Sequence, residues 1–163
     1  MRTTPSNKLS KKAIRAWRVS MSIFIFILVL ALFFLWGYSL MSPESEFVST
    51  WTLIAISVFL VIITGLIVFF VPEIRWRRWS YEVDKHEIDL QSGIFIVTRT
   101  LIPIKRVQHV DTRQGPILRS YDLADVTIST AATTHRIPAL GEEVADQVRD
   151  QISTFARLAE EDV

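Results

Sequence analysis

The chain contains no cysteine, which excludes disulfides, thiolate metal ligands and cysteine nucleophiles. It also lacks a Gly-x-Ser-x-Gly elbow, a P-loop and a paired-carboxylate signature. Its three histidines, His86, His109 and His135, stand apart, without metal-ligand spacing to each other. His86 and His135 read as solvated residues of a turn and a strand start; His109 reads as a hydrogen-bonding group. These absences lead us to expect no enzyme activity, no metal and no cofactor. Basic excess is missing too. The net charge is +1, and residues 73–163 hold twelve Lys/Arg against fifteen Asp/Glu. A nucleic-acid partner is therefore not expected.

Charge is missing altogether from residues 19–41 and again from 52–71. About 20 apolar residues at 1.5 Å each cross a hydrocarbon layer of roughly 30 Å. Each run is long enough for a transmembrane helix, and the first is too long for the apolar core of a signal peptide. Together, residues 19–72 are expected to form a two-helix hairpin in the lipid bilayer.

The connecting residues 42–50 lack Lys and Arg but hold Glu44 and Glu46. Arg2, Lys8, Lys11, Lys12, Arg15 and Arg18 precede the hairpin, and Arg75, Arg77 and Arg78 follow it. The positive-inside rule then predicts a multi-pass plasma-membrane protein with both termini in the cytoplasm. Trp36, Tyr38 and Trp51 are expected at the outer interface, and Trp17, Trp76 and Trp79 at the inner one. Ser57 and Thr64 share a helix face that could meet another helix. Neither run carries an ionisable residue, which argues against a channel or pump acting alone.

Three parts follow from this: a basic N-terminal segment at 1–18, the hairpin at 19–72 and a cytoplasmic domain at 73–163. In the domain, hydrophobic alternation predicts seven short strands at about 79–83, 88–90, 94–97, 100–104, 107–112, 125–130 and 135–138. Pro103 suits an edge strand or a bulge. Residues 116–122 could hold a short helical turn. A C-terminal helix should follow Gly141, with Glu142 and Glu143 in its first turn. Val144, Val148, Ile152, Phe155 and Ala159 would form its apolar stripe, covering an open end of an antiparallel barrel.

Four segments carry a resemblance. They are Ile102-Pro103-Ile104-Lys105-Arg106-Val107-Gln108-His109-Val110-Asp111, Gln114-Gly115-Pro116-Ile117-Leu118-Arg119, Leu123-Ala124-Asp125-Val126-Thr127-Ile128-Ser129-Thr130-Ala131-Ala132 and Ile137-Pro138-Ala139-Leu140. With the hairpin before them, they resemble the bacterial PH-like (pleckstrin-homology-like) membrane proteins of the YdbS type. The chain departs from that pattern where such proteins show glycine, at Asp122, Ala132 and Ala139. The resemblance implies a PH-like barrel capped by a helix. It also implies a hetero-oligomeric complex with a larger membrane protein of several PH-like domains, with a role in envelope stress or defence against membrane-active peptides. A homo-oligomeric scaffold and an accessory subunit of a transport or export system are the alternatives.

The polar residues of the motif, Arg106, Gln108, His109, Asp111, Gln114 and Arg119, form the candidate interaction surface. Arg and Gln suit a planar polar partner. The competing account pairs Asp111 with Arg119 and gives Gln114 and Gly115 to a turn. A phosphoinositide pocket is not expected, because the early turn Asp84-Lys85-His86-Glu87, with Asp89 nearby, has the wrong charge.

Overall fold

The structure, a computed structural model, describes residues 4–41 and 50–161. Arg2 and the connecting loop with Glu44 and Glu46 lie outside the described residues. The chain divides into two compact units, Trp17–Pro72 and a second made of Met1–Ala16 with Glu73–Val163.

The first unit is helical. Helix α1 spans Lys12–Met41 and α2 spans Thr50–Arg78, and both are long and apolar enough to cross a membrane. In α1, Met21, Ile25, Leu28, Leu32 and Trp36 are half-covered while the residues between them are exposed. In α2 the half-covered positions are Leu53, Ser57, Leu60, Thr64 and Val68. Steps of three and four define one stripe per helix, the spacing of a packed pair. Phe24, Phe26, Phe33, Phe34, Phe59 and Phe69 are all more than half exposed on the other faces. A water-soluble surface does not carry apolar area on this scale. The Ser57 hydroxyl donates to Leu53 O at 2.8 Å, and Thr64 donates to Leu60 O. Their polar atoms are therefore satisfied within α2, on its half-covered stripe. Arg18 sits over the Phe69 ring at 4.9 Å and donates to the Phe69 carbonyl at 3.2 Å.

Helix α2 does not stop at Pro72 but continues to Arg78. Pro72 removes one helical hydrogen bond, and the chain beyond it already belongs to the second unit. Strands β1 (Ser80–Val83), β2 (Glu87–Ser92) and β3 (Thr98–Pro103) form one antiparallel sheet in that order. A 3-10 turn at Ile104–Arg106 leads to β4 (Val107–Arg113), the short α3 (Pro116–Arg119), β5 (Leu123–Thr130) and β6 (Thr134–Gly141). The second sheet has the order β4-β5-β6. Helix α4 (Glu142–Glu161) packs on β4, β5 and the 3-10 turn. The core joins Ile88, Leu90, Ile102 and Ile104 to Leu123, Val126, Ile128 and Ile137, closed by Ala145, Val148 and Ile152 of α4.

Three sequence expectations need correction. Among the described residues there are six strands in two open sheets, not a barrel of seven. The expected strand at 94–97 is a loop. It starts at Gly93, whose φ of 139° suits glycine, and a Cβ there would meet the Ile96 carbonyl oxygen at 1.9 Å. On α4, Val144 is 42% exposed and Ala145 takes its place in the buried stripe. Trp79 is buried in the second unit, and Trp76 donates its indole N–H to Leu9 O at 2.9 Å. Both tryptophans thus serve the folded unit.

The N-terminal residues are part of this unit. Asn7 and Tyr81 exchange two backbone hydrogen bonds of 3.0 Å each, extending the outer edge of β1. Pro5, Leu9, Ala13 and Ala16 are buried. Lys8 Nζ donates to Arg77 O at 3.0 Å and Trp79 O at 3.3 Å, satisfying carbonyls where α2 ends. Lys12 pairs with Asp122 at 2.9 Å.

Two outcomes are expected for the full-length protein in detergent, followed by near-UV circular dichroism through denaturant unfolding. Leu9→Ala should destabilise the folded unit by about 2–4 kcal/mol, as for a core leucine. Asp122 is exposed at φ 55°, in the left-handed region. Asp122→Gly should therefore be more stable than Asp122→Ala by about 1 kcal/mol.

Candidate functional site

Strand β4 carries most of the motif, and its irregularity decides where the side chains go. Val107 pairs with Thr130 and His109 with Ser129, so Gln108 is an extra residue on β4, a bulge. A bulge breaks the alternation and re-aims its side chain. Gln108 lines an open cleft of about 800 Å³ together with Lys105, Arg106, Leu101, Thr130, Thr133 and His135. The cleft lies between β3, the 3-10 turn and the β5–β6 turn. Its lining includes Lys105 and Arg106 but no Asp or Glu. The His135 Nε2 and Thr133 Oγ1 atoms are 2.9 Å apart at its rim.

The other motif residues go elsewhere. Thr112 faces α4, where Arg149 reaches its hydroxyl at 3.4 Å. Alternation puts His109 and Asp111 on the opposite face of β4, with Nε2 and Oδ2 3.7 Å apart. Gln114 donates from Nε2 to Leu123 O at 3.0 Å, tying the end of β4 to the start of β5. Arg119 is exposed at the end of α3, and among the described residues no ion pair joins it to Asp111. The six candidates therefore separate into a cleft pair, Arg106 and Gln108, an outward pair, His109 and Asp111, a structural Gln114 and an isolated Arg119.

Sequence reasoning missed the cluster around Asp125, which is 2% exposed. Ala124 pairs with Leu140 and Val126 with Ile137, so β6 carries the extra residue here. Within that bulge Ala139 has φ 51°, the left-handed conformation that glycine usually supplies. The Ala139 N–H donates to Asp125 Oδ1 at 2.7 Å, and Arg136 pairs with Asp125 Oδ2. Arg75 lies close enough to Asp125 and Arg136 to feel both charges. The Pro138-Ala139-Leu140 departure was the available signal. Lys105 and His135 were also missed: Lys105 stands in the motif beside Arg106, but only the β5–β6 pairing brings His135 to the same cleft.

The early turn at residues 84–86 is held by Asp84 N–H to Glu87 O at 3.0 Å. Asp89 is bound by Arg99, whose Nε lies 3.0 and 2.9 Å from the two carboxylate oxygens. That hydrogen bond raises the Arg99 pKa, and Arg99 is consequently engaged with a carboxylate.

The pattern that defines the "Bacterial PH domain" family matches residues 20–156. The chain belongs to the bacterial PH domain family. It is 44% identical over its full length, and that of the relative, to the UPF0699 transmembrane protein YdbS of Bacillus subtilis (strain 168). It is also 25% identical over 83 residues to the UPF0699 transmembrane protein YdbT of the same organism, covering 48% of this chain and 17% of that protein. No solved structure matches the chain. The family membership and the two apolar helices make this a membrane protein with transmembrane helices and a bacterial PH domain.

Asp125→Ala should destabilise the folded unit by about 1–3 kcal/mol, because it leaves the Ala139 N–H buried without an acceptor. Asp125→Asn keeps an oxygen for that N–H and should lose less. Parallel unfolding curves of the two full-length variants check this order.

Proposed function

We propose that the chain is a non-enzymatic interaction module fixed to the cytoplasmic face of the plasma membrane, and that it works as a subunit of a membrane complex. The observation that carries this reading is the cleft beside β4. It is open, bordered by strands at the edges of two sheets, and lined by Lys105, Arg106 and Gln108 without a carboxylate. Guanidinium, ammonium and amide donors in that arrangement suit a polar partner such as a carboxylate-bearing segment or an exposed backbone. Anchoring raises the effective concentration of such a site for membrane partners, so a modest contact is sufficient.

The partner we propose is a larger membrane protein bearing PH-like domains. Similarity to YdbT, a longer protein that shares a stretch with this chain, supports that choice. The cationic flanks of the hairpin support the cytoplasmic orientation. So does the unit formed by residues from both flanks. The resemblance extends the setting to envelope stress or defence against membrane-active peptides. An accessory role in transport through Ser57 and Thr64 is less favoured, because their hydroxyls are bonded within α2.

Co-purification of the full-length protein from native membranes in mild detergent tests the reading. A larger PH-like membrane protein should be recovered, and Lys105→Glu with Arg106→Glu should reduce its yield at least tenfold while the chain itself stays in the membrane. Recovery of this chain alone would sink the complex, and recovery of a second copy of it alone would replace the hetero-complex with a homo-oligomeric scaffold.

A further inference from the structure

The loop between β2 and β3 turns its apolar residues away from the core. Phe95 is 94% exposed and Ile96 is 81% exposed, with Val97 beside them at 47%. Among the described large apolar side chains of the two membrane helices the highest exposure is 86%, at Met41. The loop is not a loose excursion. Gly93 supplies the backbone turn that no side chain would fit, Ser92 pairs with Thr98 across its base, and Arg78 Nη1 donates to Ile94 O at 2.5 Å. A short, braced loop thus presents an aromatic and a branched aliphatic side chain to the surroundings.

Its place along the chain identifies those surroundings. Arg78 is the last residue of α2, six residues after Pro72, where the uncharged run ends. Six helical residues span about 9 Å. The polar zone on each side of the hydrocarbon layer is roughly 5–8 Å deep. The residue that holds the loop therefore emerges close to the headgroup layer. Arg77, Lys11 and Arg15 are exposed in the same unit, and cationic neighbours favour an anionic leaflet.

We propose that the tip of the β2–β3 loop, Phe95 and Ile96, inserts into the interfacial layer of the leaflet from which α2 emerges. The folded unit then touches the membrane at a third place besides its two helices. A lipid surface accepts an apolar tip with a cationic surround without any specific headgroup. The inference depends on the membrane spans and not on the complex proposed above.

The absence of cysteine makes a direct test clean. Phe95→Cys, Ile96→Cys and Lys85→Cys are each labelled with an environment-sensitive fluorophore in the full-length protein. Lys85 is exposed in the turn at the far end of the first sheet, separated from the loop by strand β2, about 20 Å long. The labelled proteins are reconstituted into vesicles of phosphatidylcholine and phosphatidylglycerol, with and without a nitroxide-labelled lipid. At Phe95 and Ile96 the emission should shift to the blue, and nitroxide quenching should exceed that at Lys85 several-fold. Quenching equal to that at Lys85 overturns the proposal. A blue shift without lipid quenching overturns it too, since protein would then cover the tip. All three sites are exposed, so labelling leaves the core intact, and near-UV circular dichroism checks each variant.

Discussion

The folded unit depends on a backbone exchange between two distant parts of the chain. Asn7 and Tyr81 each donate an N–H to the other's carbonyl, and everything in sequence between them includes both apolar helices. An exposed strand edge is a template for unwanted pairing. Here the chain's own start covers the edge of β1. Leu9 is buried beneath that pairing, Trp76 donates to its carbonyl, and Lys8 satisfies the carbonyls at the end of α2. Each of these contacts joins residues that precede the two apolar helices to residues that follow them. A covalent topology that separated them would leave Leu9 in water and the end of α2 without its lysine.

The two apolar helices were legible because lipid leaves little choice: a charge-free run of sufficient length has few other uses. Helices α3 and α4 were legible from Pro116 and from the period of the C-terminal stripe. The N-terminal strap was not. Residues 4–10 are polar in composition, and only the packing of Pro5 and Leu9 reveals their role. Ala145 was overlooked in favour of Val144 because hydrophobic size, not helix phase, guided the choice. The run Ile94–Val97 has the composition of a buried strand, yet a pattern of apolar residues says nothing about whether protein or lipid will cover them. The candidate surface was drawn from the polar residues of the motif, and the bulge at Gln108 could not be read from composition.

The glycine departures show how local backbone demands are met from elsewhere. Asp122 and Ala139 both keep the left-handed conformation without glycine. Asp122 sits in the turn after α3, where its carbonyl accepts the Glu142 N–H and its carboxylate pairs with Lys12. Ala139 is fully buried, so its N–H cannot turn to water and needs an acceptor in the protein. Asp125 supplies the acceptor, and Arg136 balances the carboxylate. A buried charge carries a desolvation cost, which this arrangement offsets by bonding both oxygens. The conformation of one bulge thus fixes the identity of a residue on the neighbouring strand.

The same reasoning separates local from global charge. Residues 73–163 carry more acids than bases, which argues against a nucleic-acid partner but says little about any one surface. Asp89 is bound by Arg99 and Asp125 by Arg136, so those carboxylates are matched inside the unit. Lys105 and Arg106 remain on a cleft that lacks acids. With its N-terminal residues the folded unit is near charge balance, so a cationic cleft favours a partner chosen by geometry over one gathered by bulk attraction, because at a Debye length of roughly 8 Å in physiological salt distant charges are screened. Under the function proposed above, confinement to the membrane would replace long-range steering, because tethering raises the effective concentration of a partner in the same bilayer.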